Sequence, residues 1–426
     1  MLPISSSSGQ ATGFVDALFT ATTSVCVTGL IVVDTSLHWS FFGKIVIMSL
    51  IQLGGLGIVT FTTSLMLLIG RKVSLKDRLL LEDAFNLDTL DGLVRFLKRV
   101  IKGTLIVETM GAILCSFVFI PKYGFRKGVF AAIFHSVSAF CNAGMDILGG
   151  DGFYEFVKNP YILIITMFLI IMGGLGFIVW WDVLRVCGMW RRKECKARSC
   201  FNRLTLHSKI VITATVFLIF AGAFLILILE YSNPATIGNM GFFQKVYNAF
   251  FQSVTLRTAG FATVSQKGLL DATVLICIIW MFIGGSPIGT AGGIKTSTAA
   301  ILCIATLSVI KGREDAVAYK RKIPLYTVRK ALAVTLISFL AAMLIIILLL
   351  STQQGDFLDI VYETISAMAT VGLSRDYTGS LNVIGKLLIT GAMFLGRIGP
   401  ISIAVALNFS KKPKTLQYAE DDVRVG

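Results

Sequence analysis

Four glycines recur at nearly equal intervals along this 426-residue chain: Gly29, Gly144, Gly260 and Gly372 are separated by 115, 116 and 112 residues. An aromatic residue stands ten positions before each of them, and an apolar residue follows each. Glycine adopts positive φ without steric penalty, so it lets neighbouring carbonyl oxygens point the same way. Oxygens arranged in this way can replace the water shell of a small cation. The spacing therefore indicates a fourfold repeat whose turns bind a cation.

The predicted selectivity filter comprises each glycine and the two residues before it. These are Val27, Thr28, Gly29, Asn142, Ala143, Gly144, Thr258, Ala259, Gly260, Thr370, Val371 and Gly372. The nearby acids Asp34, Asp146 and Asp376 lie beyond the glycines, so only neutral carbonyl oxygens are candidate ligands. Such oxygens suit a large monovalent ion such as K⁺ better than a divalent one. Simple packing of small residues between helices does not explain the matched aromatics and the regular separations.

A second glycine signal follows inside the next apolar segment of each repeat, at Gly54, Gly173, Gly284 and Gly396. For the GGLG sequences at Gly54 and Gly173, helix packing explains the glycines as well as a functional role does. The repeating unit is therefore a helix, a short re-entrant helix, a glycine turn and a second helix.

The elements that position these turns are membrane helices. The chain is 55% apolar and only 15% charged, unlike a soluble protein. Seven apolar stretches are long enough to cross a bilayer, and they cover residues 41–69, 104–120, 161–181, 210–229, 272–310, 331–350 and 387–409. Four weaker apolar segments precede the glycines and are too short to span: 14–25, 129–140, 245–256 and 357–369. Lys and Arg concentrate in 71–102, 185–209, 311–330 and 411–424, which predicts that these segments are cytoplasmic.

We therefore predict an all-α membrane protein with four pseudo-symmetric helix, re-entrant pore-helix, helix repeats around one ion pore. The predicted repeats cover residues 1–80, 81–200, 201–322 and 323–426. Only 28 residues precede the first glycine, so we expect the first repeat to lack its leading helix through a truncated start.

The stretch 272–310 is too long for one crossing, and its middle reads GGSPIGTAGGIKTS, which cannot hold an ordinary helix. We expect a broken helix with an intramembrane loop that gates the pore. The candidate gating residues are Gly284, Gly285, Ser286, Gly289, Gly292, Gly293, Lys295 and Arg397. Lys295 and Arg397 are cations within apolar spans, each costing about 2.5–3.5 kcal/mol to insert, which makes them functional candidates. The alternative is that they snorkel or pair with Glu108.

Other classes of function fit the sequence poorly. His38, His135 and His207 are isolated, so we predict neither a metal site nor a nucleophilic triad, and no enzyme. A secondary transporter would require two inverted halves, whereas these four units repeat in one orientation. We expect no nucleic-acid partner, and attraction of the basic segments to anionic membrane lipid.

The glycine loops, the GGSPIGTAGGIKTS break and the GRIGP sequence together resemble the Trk/Ktr/HKT superfamily of cation transporters, in its Ktr branch. This resemblance implies the ion-translocating subunit of a Ktr-type potassium uptake system, a multi-pass protein of the plasma membrane. It implies a homodimer on a cytosolic nucleotide-binding ring of the KtrA type, with nucleotide on that partner and no cofactor on this chain. It also identifies the filter glycines, the gating loop 284–295 and Arg397 below the filter. The alternative is a Na⁺-permeable or Na⁺/K⁺ cotransporting member of the superfamily.

Overall fold

The computed structural model describes residues 1–57, 93–149 and 152–399, which are mostly helical, so the all-α prediction is confirmed. In chain order the helices are α1 (Phe14–Val25), α2 (Thr35–His38), α3 (Phe41–Leu56), α4 (Leu93–Tyr123), α5 (Phe125–Cys141), α6 (Pro160–Gly174), α7 (Phe177–Arg191), α8 (Cys200–Arg203), α9 (Leu206–Glu230), α10 (Phe242–Thr255), α11 (Asp271–Phe282), α12 (Thr296–Ile310), α13 (Leu325–Thr352), α14 (Phe357–Ala369) and α15 (Val383–Ile398). Single 3₁₀ turns occur at Pro3–Ser5, Gly152–Phe156, Ala197–Ser199 and Thr378–Ser380. The strands β1 (Val317–Ala318) and β2 (Arg321–Lys322) form a small antiparallel hairpin.

The four weak apolar segments form the short helices α1, α5, α10 and α14. Their aligned aromatic residues anchor them, because Phe19, Phe134 and Tyr362 have no exposed surface. In the third short helix the aligned Phe250 is only partly buried, and its neighbour Phe251 is the fully buried aromatic residue.

The units close into a ring through helix packing. The second helix of each unit packs against the short helix of the next: α3 on α5, α6 on α10, and α11 on α14. The last of them, α15, packs on α1 and closes the circle. The short helices are thereby held between neighbouring units.

Within the described residues, α4, α9 and α13 contain stretches long and apolar enough to cross a membrane, and the bent pair α6 and α7 would add a fourth crossing. One face of α13 is apolar and exposed. The side chains of Leu332, Leu336, Leu340 and Leu344 each have 54–59% of their surface exposed. Four leucines spaced one helical turn apart would be unfavourable in water and suit contact with lipid. The protein is a multi-pass membrane protein.

The prediction of one continuous span over 161–181 is wrong. Helix α6 ends at Gly174, α7 begins at Phe177, and their axes are bent by 100°. Gly176 lies between them with φ of +85°, and Gly57 and Gly399 have the same φ at the ends of α3 and α15. Because residues with a side chain rarely adopt this conformation, the last glycine of each GGLG or GRIG sequence ends its helix. The predicted spans beyond residues 57 and 399, most of 71–102 and the tail 411–424 lie outside the described residues.

The long stretch 272–310 breaks into α11 and α12, as its glycine-rich centre predicts. The intervening segment 283–295, called here the intramembrane loop, is closed at its base by hydrogen bonds. The amide of Gly284 donates to the carbonyl oxygen of Ile294 at 2.9 Å, and the amide of Thr296 donates to that of Gly285 at 2.9 Å. The loop therefore leaves and returns to nearly the same point.

Candidate ion pathway

The four glycine loops, 27–29, 142–144, 258–260 and 370–372, share one backbone conformation. The glycines have φ of +99°, +63°, +82° and +92°. The residue two positions before each glycine also has positive φ, from +53° to +67°: Val27, Asn142, Thr258 and Thr370. Positive φ is uncommon in residues with side chains, and sequence reasoning anticipated it only for the glycines. Four matched instances indicate that the loops are structural equivalents.

The glycine loops contact one another in a closed ring. A Cβ on Gly144 would lie 2.7 Å from the carbonyl oxygen of Ala259, and one on Gly260 would lie 2.6 Å from that of Val371. Gly29 stands in the same way against Ala143, and Gly372 against Thr28. Each glycine therefore touches the loop of the next unit, and no larger residue fits without displacing that carbonyl group. The twelve predicted filter residues are brought together.

Many oxygen atoms of the glycine loops have no hydrogen-bond partner among the described residues. The carbonyl oxygens of the two residues before each glycine accept no hydrogen bond from the part of the chain that the structure describes. Three buried hydroxyl groups in the loops, those of Thr28, Thr258 and Thr370, also have no partner there. Buried polar atoms are rarely left unpaired in folded proteins. This set of neutral oxygens suits a dehydrated alkali cation.

Hydroxyl groups of the short helices hold these loops. The side chain of Thr23 accepts a hydrogen bond from the amide of Gly29 at 3.0 Å, and Ser366 accepts one from Gly372 at 3.1 Å. Ser138 binds both the amide and the carbonyl oxygen of Met145. In the third unit the equivalent contact comes from Thr255, which donates to the carbonyl oxygen of Phe261 at 2.7 Å.

A cavity of about 440 Å³ opens on one side of the ring and is called here the vestibule. All four loop glycines line it, together with Asp34, Asp146 and Asp376. Burial, aided by the carboxylates of Asp34 and Glu155, raises the pKa of Asp146 to about 6. Clefts lined by charge of one sign concentrate ions of the opposite sign, so this cavity attracts cations.

The intramembrane loop packs against the α6–α7 bend, the end of α5 and the fourth glycine loop. The amide of Thr290 donates to the carbonyl oxygen of Gly173 at 3.1 Å, and its hydroxyl donates to that of Phe140 at 3.1 Å. The amide of Ser286 donates to Gly174 at 2.9 Å. Gly292 stands directly against the side chain of Thr370, so a methyl group there would collide with the fourth glycine loop.

Arg397 and Lys295 both bind main-chain oxygens. The guanidinium group of Arg397 donates to the carbonyl oxygens of Thr290 and Gly54. The ammonium group of Lys295 donates to that of Ala291 at 2.8 Å, within the intramembrane loop itself. Neither cation pairs with Glu108. That carboxylate accepts a hydrogen bond from the side-chain amide of Gln52 at 3.2 Å instead. Arg397 therefore joins the first, third and fourth units.

The second set of glycines contributes close packing. Gly54, Gly173 and Gly396 stand against the carbonyl oxygens of Val25, Phe140 and Met368, at the C-terminal ends of the short helices α1, α5 and α14. In the third unit Gly284 instead meets Gly292 of the intramembrane loop. The packing explanation of the GGLG sequences therefore has direct structural support.

Sequence reasoning missed several buried charged residues beside the glycine loops, among them Arg257 and Glu363. Arg257 precedes Thr258, is 6% exposed and donates to the hydroxyl of Thr296 at 3.2 Å. Glu363 of α14 has no exposed surface. Both stand in or next to short apolar segments, where a charged residue is itself a signal of function.

Comparison with known proteins covers nearly the whole chain. The profile of the TrkH family, described as a cation transport protein, matches residues 2–417. The chain is 37% identical over 427 residues to the Ktr system potassium uptake protein B of Bacillus subtilis, covering 100% of this chain and 92% of that protein. It is 36% identical over 431 residues to the potassium/sodium uptake protein NtpJ of Enterococcus hirae, with 100% and 92% covered. The solved structure of the potassium transporter TrkH from Vibrio parahaemolyticus matches with a TM-score of 0.73 at 16% identity, covering 93% of this chain and 79% of that one.

Proposed function

The chain belongs to the TrkH family of cation transport proteins, and from this premise we propose that it takes up K⁺ across the plasma membrane as the ion-translocating subunit of a Ktr-type system. The ring of glycine loops carries the proposal. The eight carbonyl oxygens of the two residues before each glycine have no partner among the described residues, and a relative of 37% identity is named a potassium uptake protein. In this mechanism, carbonyl oxygens replace the hydration shell of K⁺ at the filter, and the acidic vestibule supplies the ion.

Na⁺ is the second candidate ion, because the Enterococcus hirae relative is named a potassium/sodium uptake protein. Na⁺ would then permeate through the same ring or drive K⁺ uptake. Measuring K⁺ uptake with and without external Na⁺ in vesicles separates these possibilities. Uptake that is independent of Na⁺, with little Na⁺ entry, supports the K⁺ function alone.

The intramembrane loop is the proposed gate. It packs against the end of α5 and the fourth glycine loop, and Arg397 of α15 fastens it to α3. Because its ends are already hydrogen-bonded together, deletion of Ser286 to Gly293 leaves the flanking helices connected. We expect the deletion to raise basal K⁺ flux; flux that stays low would contradict a gating role.

The proposed assembly is a homodimer on a cytosolic nucleotide-binding ring of the KtrA type. The support is that two relatives are named protein B of a Ktr system, which implies at least one further component. Nucleotide would bind to that partner. Its effect on this chain would be a change in the position of the gate. Membrane lipid surrounds the exposed leucine face of α13. Co-purification with a KtrA-type subunit, and the mass of the resulting complex, test this arrangement.

Growth at low K⁺ tests the main proposal. A strain deficient in K⁺ uptake should regain growth when it expresses this chain with a KtrA-type partner.

Gly372→Ser should lower the preference for K⁺ over Na⁺ about tenfold, the change expected for about 1.4 kcal/mol, because its side chain would collide with the carbonyl group of Thr28. Gly391→Ser is the matched control, because no neighbouring atom of the described residues lies within 4 Å of the position of a Cβ there. Unchanged selectivity in Gly372→Ser would contradict the filter.

A further inference from the structure

Glu363 is a buried carboxylate behind the fourth glycine loop. It lies nine residues before Gly372, and the aligned positions of the other short helices hold Thr20, His135 and Phe251. Only one of the four aligned positions is therefore acidic. The side chain has no exposed surface, and removing a carboxylate from water is costly unless hydrogen bonds compensate for the loss.

The partners of Glu363 lie just past the glycine loop. The hydroxyl of Ser374, two residues after Gly372, donates to its Oε2 at 2.7 Å. The hydroxyl of Thr378 donates to its Oε1, and the two hydroxyl oxygens lie 3.1 Å apart. Both carboxylate oxygens are thus used to hold the segment through which the chain leaves the fourth loop.

Neighbouring residues of α14 hold the same segment. Asp359, one turn before Glu363, accepts from the Nε of Arg375 at 2.6 Å, with both side chains largely buried. Ser366, nearly one turn after it, accepts from the amide of Gly372. Residues spaced by four and three lie on one helix face. This face of α14 therefore holds the loop at its glycine and at its exit.

The other loops differ from the fourth in this respect. In the first three units, contacts from the short helices to the loops and their exits come from neutral groups: the hydroxyls of Thr23, Ser138 and Thr255, and in the third unit also the amide of Gln252, which donates to Gln266. The exit of the fourth loop is held instead by two carboxyl groups, that of Glu363 at Ser374 and that of Asp359 at Arg375. The hydrogen bond within the Asp359–Arg375 ion pair is of a kind roughly twice as strong as a neutral one.

We propose that Glu363 is a positioning residue that sets ion selectivity by fixing the exit of the fourth filter loop through Ser374 and Thr378. This inference rests on the proposed filter. The carbonyl group of Val371 in this loop touches Gly260 of the third loop, so a shift of the fourth loop alters the ring. Selectivity depends on the number and placement of carbonyl dipoles around the ion.

The test uses K⁺ and Na⁺ fluxes in vesicles containing the full chain. Glu363→Gln keeps the size of the side chain but replaces one acceptor oxygen with a donor facing a hydroxyl group. We expect its K⁺ to Na⁺ selectivity ratio to fall about tenfold. Ser374→Ala should act in the same direction, and the double variant should be no worse than Glu363→Gln alone, because both changes act on the same contact.

Glu230→Gln is the matched control. Glu230 is 1% exposed and accepts hydrogen bonds from Asn233, Thr236 and the amide of Leu270, but it lies at the end of α9, away from the loops. Its replacement should leave the selectivity ratio unchanged. An equal loss of selectivity in this variant would overturn the inference, because any buried carboxylate would then have the same effect.

Gly372→Ser distinguishes failure of this inference from failure of the filter. If Gly372→Ser lowers selectivity and Glu363→Gln does not, the filter stands and the role of Glu363 is overturned. If neither variant changes selectivity, both proposals fail. If Glu363→Gln does not accumulate in the membrane, the K⁺ to Na⁺ selectivity ratio is measured in Ser374→Ala and in Thr378→Val instead. A lowered ratio in these variants supports the inference, and an unchanged ratio overturns it.

Discussion

Arg397 donates a hydrogen bond to the carbonyl oxygen of Thr290, which fastens the fourth unit to the intramembrane loop of the third. The same guanidinium group donates to Gly54 at the end of α3. A single cation therefore holds the loop between two second helices. Main-chain oxygens at the C-terminal end of a helix carry partial negative charge, so the carbonyl oxygen of Gly54 helps to compensate the cation.

Replacement of this cation should release the loop. We expect Arg397→Gln to raise basal K⁺ flux in the absence of a cytosolic partner by about tenfold, since loss of hydrogen bonds from a charged group is worth about 1.5–3 kcal/mol. Arg191→Gln, at the exposed end of α7, is the control and should not change the flux. Rubidium uptake into vesicles measures both variants. Equal basal flux in Arg397→Gln and the parent protein would show that this contact does not restrain the loop.

The vestibule predicts a dependence of K⁺ affinity on pH. Asp146 lies in the segment after α5, outside the spanning helices, and burial raises its pKa to about 6. Above that pH its carboxylate is charged and attracts K⁺, whereas below it the group is neutral. The KM for K⁺ should therefore rise as pH on the vestibule side falls through about 6, by about fivefold for a loss of about 1 kcal/mol of attraction.

Asp146→Asn should have the high KM at every pH and lose this transition. Uptake assays between pH 5 and 8, with the opposite side buffered, provide the measurement. If Asp146→Asn still shows the rise in KM near pH 6, the pH dependence belongs to another group.

Contacts between the third and fourth units contribute to stability. The phenol of Tyr362 donates to Gln266 at 3.0 Å, and Gln252 donates to the same oxygen at 2.7 Å. Tyr362→Phe removes one donor and leaves the other, so we expect a loss of about 1 kcal/mol in the free energy of unfolding. Thermal unfolding in detergent measures it. Tyr326→Phe, at a 73% exposed position on α13, should have no effect; an equal shift in both variants would contradict this account.

The sequence was sufficient for the fourfold repeat. Equal glycine separations and matched aromatics are local regularities, and the short helices α1 and α14 coincide with the apolar segments 14–25 and 357–369. Family membership and the membrane location were likewise predicted correctly. The repeat follows from periodicity and the membrane location from composition, whereas the family was predicted from the resemblance of the glycine loops and the GGSPIGTAGGIKTS and GRIGP sequences to known transporters.

The remaining features depend on contacts between distant units. The 100° bend between α6 and α7 was missed, because GGLG inside an apolar stretch is equally compatible with a packed, continuous helix. The partners of Arg397 come from residues 107 and 343 positions away in the chain. The role of Glu363 depends on Ser374 and Thr378, whose hydroxyl groups are common in any loop. Such contacts leave no spacing pattern in one sequence.

The most direct test of the central claim is to locate a heavy K⁺ analogue in crystals of the protein. We predict an anomalous peak for Rb⁺ at the centre of the ring, surrounded by the carbonyl oxygens of Thr28, Ala143, Ala259 and Val371. Rb⁺ bound only near the vestibule acids, with none among these oxygens, would contradict the claim that the glycine loops select the ion.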